Sequence, residues 1–282
     1  MIIIDYNGIA LGAVLAQRLD TDEDLIRHLI LNNIRMYNKM FRNQYGQVVI
    51  ACEGGSWRRD SFPQYKANRK KSRQDDDRDW DKLFKLINQV TKDLEENFPY
   101  KVVRVQGAEA DDIIGALVEE TQEFGKHEDV MIVSADKDFI QLQKYPNVKQ
   151  YSPMMKKYLN DPNPRKYLFE HILKGDAGDG IPNVLSGDNV LVDGIRQSPM
   201  SKKKLETYTE NAESLDTFMD SEVYRNYCRN KKLIDLSEMP PSLKEKIINT
   251  SENKKPASKM KILNYLIKNR CKMLIECIEE FY

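Results

Sequence analysis

Nine carboxylates at five places along the chain have the residue types and order to hold divalent cations together. Asp5 ends the apolar run Ile2-Ile3-Ile4, and Glu53 follows Val48-Val49-Ile50-Ala51-Cys52. Glu109, Asp111 and Asp112 stand in Glu-Ala-Asp-Asp. Asp136 and Asp138 stand in Ser134-Ala-Asp-Lys-Asp after Val130-Met131-Ile132-Val133, and Asp176 and Asp179 in Gly175-Asp-Ala-Gly-Asp. Three of these groups lie where a short buried strand would run out, and in an open parallel sheet those ends line the ligand crevice. Crowded carboxylates stay ionised beside a strong cation, and hard oxygen donors suit Mg²⁺ or Mn²⁺. A dinuclear metal site is the first expectation.

Taken singly, each acid has a plainer role as a turn former or helix cap. Glu109 and Asp112 are three apart and share a helix face, while Asp111 points elsewhere, to cap or to bind in an outer shell. Their place in a first helical turn suits capping as well as metal binding. Asp176 and Asp179 have the spacing of one helical turn, but the glycines around them suit a loop equally.

The elements that would position these residues alternate. Strands are expected near 2–4, 48–52, 102–105, 130–134 and 148–151, with helices at about 22–44, 78–96, 108–124 and 136–143. That is the order of an α/β domain with a largely parallel central sheet flanked by helices. Beyond about residue 160 the strand signal fades and helical spacing takes over, so the C-terminal portion is expected to be helical.

Composition narrows the class. The chain has 282 residues, 40% of them hydrophobic, and a formal net charge of zero. It has no long uncharged apolar stretch and no basic leader before Asp5, so a cytoplasmic protein without a membrane span is expected. The four cysteines form no C-x-x-C pair and read as reduced thiols. Zero net charge argues mildly against nucleic-acid binding, but the charge is segregated. Residues 54–73 carry seven basic side chains against Asp60 alone, and residues 105–140 carry ten acids against Lys126 and Lys137. One region suits phosphates and the other metals. Within the basic stretch, Trp57, Phe62 and Tyr65 are mixed with Arg58, Arg59, Lys66, Arg69, Lys70, Lys71 and Arg73. Cations there would hold phosphates while rings stack on unpaired bases; a solvated loop is the plainer alternative.

The ordered set Asp5, Glu53, Glu109-Ala-Asp111-Asp112, Ser134-Ala-Asp136-Lys-Asp138 and Gly175-Asp176-Ala-Gly-Asp179 resembles the 5′ nuclease (flap endonuclease) family. The segments Trp57-Arg58-Arg59-Asp60, Tyr65-Lys66 with Asn68-Arg69, Lys144 to Gln150, Ser152-Pro153-Met154 and Leu233-Ile234-Asp235 look like those of a phage member, and the likeness extends over essentially the whole chain. The resemblance implies two Mg²⁺ ions, with Mn²⁺ as a substitute. Asp5, Glu53, Glu109, Asp111 or Asp112, and Asp136 would hold the first, directly or through water; Asp138, Asp176 and Asp179 would be associated with the second. It makes residues of about 57–80 a basic arch at the active site, with Lys66 the catalytic cation on the phosphate, Tyr65 a stacking residue and Arg59 and Arg69 supporting contacts.

Gly175 to Val184 is similar to the start of the family's helix-three-turn-helix, which grips duplex backbone and in some members a K⁺ ion. Gly180 and Asn183 stand where the family loop reads Asn and Gly, which weighs against the K⁺ site more than against the duplex contact. Arg196, Lys202, Lys203 and Lys204 are further phosphate ligands, with a solvated face as the alternative. Glu53 replaces the family's usual Asp, a longer arm that Mg²⁺ geometry would register.

The resemblance thus implies a 1–160 α/β nuclease domain and a 161–282 helical duplex-binding domain in a monomer. Expected substrates are branched or nicked duplex DNA and RNA–DNA hybrid, cut from 5′ ends by phosphodiester hydrolysis in phage replication. A sliding clamp and a single-strand DNA-binding protein are the implied partners, and the host cytoplasm the implied place. Two other classes remain open. Ile3-Ile4-Asp5-Tyr6-Asn7-Gly8 has the form of an aspartate-nucleophile phosphatase, although Asn7 stands where its acid/base Asp belongs. A non-catalytic adaptor for branched DNA would also keep the fold, against which the intact acid set argues.

Overall fold

A computed structural model describes residues 1–15, 22–69, 76, 78–123 and 125–282. Six strands form one sheet in the order β3-β2-β1-β4-β5-β6: β1 is Ile2–Asp5, β2 Val48–Cys52, β3 Lys101–Arg104, β4 Val130–Val133, β5 Val148–Ser152 and β6 Lys157–Leu159. The first five are parallel and β6 is antiparallel to β5. β2 and β4 are buried along their whole length, and β1 up to Asp5, as apolar runs without alternation encode in a sheet covered on both faces. β6 is an addition that the sequence pattern does not give; three residues after a turn are too few for a period of two to register.

Helices fill the crossovers. Glu23–Tyr45 is capped by Asp22, whose side chain accepts from Leu25 N at 3.0 Å, and it buries Ile26, Ile30, Ile34, Tyr37 and Phe41. Trp80–Asn97 is opened in the same way by Asp79. A helix not expected from the sequence, Tyr6–Leu15, follows β1 directly. The segment expected as a helix over 136–143 is a 3₁₀ helix, Lys137–Lys144. Among the described residues, no helix is long and apolar enough to cross a membrane.

The compact units are not the contiguous halves that the sequence suggests. One contains Met1–Gly55, Arg78–Asn160 and Pro241–Tyr282; the other contains Ser56–Asp77 and Asp161–Pro240. The last forty or so residues, expected with the helical domain, join the sheet unit because their apolar side chains complete its core. Ile262, Leu266, Leu274 and Phe281 are buried among Phe98, Tyr100 and the helices of the sheet, and Lys244 pairs with Glu119 at 3.1 Å and Glu123 at 2.9 Å. The second unit has smaller cores, one built on Phe62, Tyr65, Ile172, Ile181, Leu233 and Ile234 and another on Leu173, Val184, Leu205, Leu215 and Met219. All four cysteines are free, and burial pushes the Cys52 thiol up to about 12.

Candidate active site

The chain runs from β1 to β2 and β3 on one side, then returns to β4 on the other. β1 and β4 therefore flank the point where strand order reverses, the place where open α/β sheets bind ligands. Asp5 ends β1. Its Oδ1 accepts Gly8 N at 3.1 Å and its Oδ2 accepts the Ser134 hydroxyl at 2.8 Å. Any larger residue at position 8 would place a Cβ 2.6 Å from Asp5 Oδ2. Ser134 directly follows β4, and its Oγ also accepts Asp136 N at 3.1 Å. Asp136 Oδ1 in turn accepts Asp138 N at 2.9 Å. A line of hydrogen bonds, Asp5 to Ser134 to Asp136 to Asp138, thus crosses the switch point. Gln150 in β5 is 1% exposed and donates to Ser134 O at 3.1 Å and Asp136 O at 2.5 Å, which fixes the backbone of the same loop.

Glu53 is held from the other side. Gly54 N donates to Ala108 O at 2.8 Å and Gly107 N donates to Gly54 O at 2.9 Å. A Cβ at position 54 would lie 1.9 Å from Val105 O, so only glycine allows the end of β2 to meet the segment leading into Glu109. Glu109 and Asp112 form a capping box on the helix Ala110–Glu120, with Glu109 N donating to Asp112 Oδ2 at 2.9 Å. Capping falls to this pair and not to Asp111, which is half-buried. The helix dipole favours negative charge at this end. Asp5, Glu53, Glu109, Asp111, Asp112, Asp136 and Asp138 are therefore brought to strand ends and one helix start of a single unit. This all-carboxylate set fits a hard divalent cation.

Asp176 and Asp179 belong to the other unit, with the basic stretch. Asp176 Oδ1 accepts Gly178 N and Asp179 N and closes a turn. Asp179 is 9% exposed. Its carboxylate accepts the Tyr65 hydroxyl at 3.1 Å, pairs with Lys66 Nζ at 3.3 Å and pairs with Arg69. The carboxylate expected beside the second metal thus has two cations and a phenol as partners. Arg58 and Tyr65 depart from their expected roles as nucleic-acid ligands. Arg58 is 2% exposed, with Nε donating to Leu233 O at 2.7 Å and the guanidinium 4.8 Å from the Trp57 ring centroid. Tyr65 is buried in the core with Ile172 and Leu233. Both are consumed because this unit's small core needs their bulk. Arg59, Arg69, Arg196, Lys202, Lys203 and Lys204 are exposed. Lys70, Lys71 and Arg73 lie outside the described residues.

Where the helix-three-turn-helix is expected, Pro164–Lys174 and Lys202–Glu210 are helices joined by a turn-rich segment over 175–201. Gly175, at φ +66, cannot carry a Cβ without meeting Ile181 O and Pro182 O at 2.4 Å. Asn226 donates to Val184 O and Ser186 O, Asn230 donates to Ile172 O and Pro182 O, and Arg225 and Arg229 hold Asp188.

The sequence alone assigns no role to Ser134, Gln150, Gly8 or Gly54. Gln150 leaves a trace, a polar residue at a buried position of an alternating strand; the glycines leave none.

A family model described as 5′-3′ exonuclease, N-terminal resolvase-like domain, matches residues 1–168, and one described as T4 RNase H, C terminal, matches residues 164–281. The ribonuclease H of enterobacteria phage T4 is 32% identical over 291 residues, spanning 99% of this chain and 95% of that one. The fold is shared with a T5 protein co-crystallised with metal ions, at a TM-score of 0.64 and 15% identity over 89% of this chain and 98% of that one. It is shared also with a T5 flap endonuclease in a pseudo-enzyme-product complex with DNA and metal ions, at 0.61 and 15% over 89% and 99%.

Proposed function

Because the chain belongs to the 5′-3′ exonuclease family, we propose that it is a metal-dependent exonuclease and flap endonuclease that removes RNA primers and adjoining DNA from 5′ ends during phage DNA replication. What carries the proposal is the hydrogen-bonded line from Asp5 through Ser134 to Asp136, which gathers carboxylates from two strands at the switch point. Asp5, Glu53, Glu109, Asp111, Asp112, Asp136 and Asp138 would hold Mg²⁺, or Mn²⁺ in its place. Such cations, when bound, polarise the scissile phosphate, lower the pKa of a water and stabilise the leaving oxygen.

The rest falls to the chain's own residues. Ser134 and Gly8 N orient Asp5, and Gly54 fixes Glu53 beside the approach to Glu109. Lys66 and Arg69 supply positive charge for a phosphate, with Arg59 as a further contact. Lys202, Lys203 and Lys204 open a helix capped by Ser201. Cations are disfavoured at that end by the helix dipole, whereas a duplex phosphate there is favoured by both the dipole and the lysines. Duplex contact in the 161–240 region, contacts with a sliding clamp and a single-strand DNA-binding protein, and action as a monomer in the host cytoplasm belong to the same proposal. Family membership replaces the phosphatase alternative, and the gathered acids speak against a non-catalytic adaptor.

The test is a time course on an RNA-primed strand annealed to DNA and labelled separately at its 5′ and 3′ ends, with a circular single strand as control. Short products are expected from the 5′ side, continuing into DNA because phosphate-centred chemistry needs no 2′-hydroxyl. Progressive loss from the 3′ end, or cleavage of the circle at a comparable rate, would overturn it.

A further inference from the structure

Asp179 and the basic stretch are joined more tightly than a metal ligand and a phosphate-binding loop need to be. Besides the three side-chain partners of its carboxylate, Asp179 O accepts Lys66 N at 2.7 Å, and Asn68 Nδ2 donates to Ala177 O at 3.0 Å. Gly180, at φ +76, lies so close to the same stretch that a Cβ there would meet Gln64 O at 2.8 Å. Lys66 itself has φ 55, a left-handed conformation that an L side chain holds only when its surroundings impose it. The imposing contacts are these. Lys66 is buried to 9% exposure, and a lysine ammonium so enclosed needs a counter-charge. Asp179 supplies it, while Tyr65, fixed in the apolar core, supplies a hydroxyl to the same carboxylate oxygen that faces Lys66.

We propose that Asp179 is a positioning residue for Lys66 and Arg69 and not a ligand to a divalent cation. It presents the two cations as a preformed pair to an incoming phosphate, which can take over their charge while the backbone bond from Lys66 N to Asp179 O keeps the loop in place. This rests on the nuclease reading only for the identity of the phosphate, that of a nucleic-acid strand; the pairing itself does not depend on it.

The experiment compares Asp179→Asn with Asp136→Asn in the whole chain, reading bound Mn²⁺ by electron paramagnetic resonance and the rate of tryptic cleavage within residues 56–69. Asp179→Asn is expected to keep the wild-type number of bound ions while cleavage of that stretch accelerates about fivefold or more, as the local opening equilibrium shifts. Its single-turnover rate on a 5′ flap should fall about tenfold or more, but less than about twofold in a Lys66→Ala, Arg69→Ala background, since a residue acting through others has no effect once they are gone. Tyr65→Phe, which removes only the hydroxyl, guards against a folding defect and should loosen the stretch with ion binding unchanged. Loss of a bound ion in Asp179→Asn would overturn the proposal, and so would unchanged tryptic protection. If Asp136→Asn kept every ion, the metal reading of the sheet unit would fail while the Asp179 results still decided this one.

Discussion

The hydroxyl of Ser134 donates to the Asp5 carboxylate at 2.8 Å across the junction of β1 and β4, joining residues 129 positions apart in sequence. Ser134 is 2% exposed, and its Oγ receives Asp136 N as well. One small side chain therefore orients the Asp5 carboxylate and anchors the backbone that carries Asp136.

Ser134→Ala removes a donor from one acid and an acceptor from the backbone of the other. Stability is expected to fall by about 1–3 kcal/mol, the cost of stranded buried polar groups, and the Mg²⁺ concentration needed for half-maximal cleavage to rise. Urea unfolding and a metal titration of single-turnover rates check the two effects; a rate and midpoint equal to wild type would remove Ser134 from the site.

Gly54→Ala forces a Cβ to within 1.9 Å of Val105 O, and neither backbone can yield without breaking the paired bonds to Ala108 and from Gly107. We expect a loss of about 2 kcal/mol or more, in the range of overpacking and lost backbone bonds, together with weaker metal binding through displaced Glu53. Thermal melts of the variant with and without Mn²⁺ measure both.

Asp136→Asn should abolish cleavage while leaving affinity for branched DNA equal or tighter. A ligand to the cation is lost, but removal of a negative charge cannot weaken attraction for phosphates. Filter binding in the absence of divalent metal, set against single-turnover cleavage in Mg²⁺, distinguishes this from general damage, in which both would decline.

Acid should weaken the second unit through Asp188. The Arg225 guanidinium, with Arg229 beside it, holds the Asp188 carboxyl below its ordinary range. A depressed folded-state value means that the stabilisation is complete above the unfolded value of about 3.9 and is lost as pH falls through the folded one. Because the Asp188 side chain is one-third exposed, solvent screening limits the effect to about 1 kcal/mol or less. Asp188→Asn should lower stability at neutral pH and flatten its decline below about pH 4, measured by denaturant midpoints along a pH series.

The acids at strand ends were legible in the sequence because the signal is local. An apolar β-branched run followed by a carboxylate encodes a buried strand and what emerges from it, and five strands and their order of alternation followed from that pattern. The same locality placed helices near 22–44 and 78–96, which the structure has at Glu23–Tyr45 and Trp80–Asn97. What the pattern could not contain was any pairing between distant side chains. Nothing about Gln150 in sequence says that it holds the carbonyls of Ser134 and Asp136; that depends on β5 lying beside β4 in a fixed register. Nor does a run of cations and rings say which of them are spent inside. Arg58 and Tyr65 were absorbed because a small core had to be closed with the side chains at hand, and Asp179 met Lys66 because a buried ammonium needs a counter-charge. The helices after Pro241 joined the sheet unit for the same reason: apolar faces go where uncovered apolar surface remains, and only the assembled chain determines where that is.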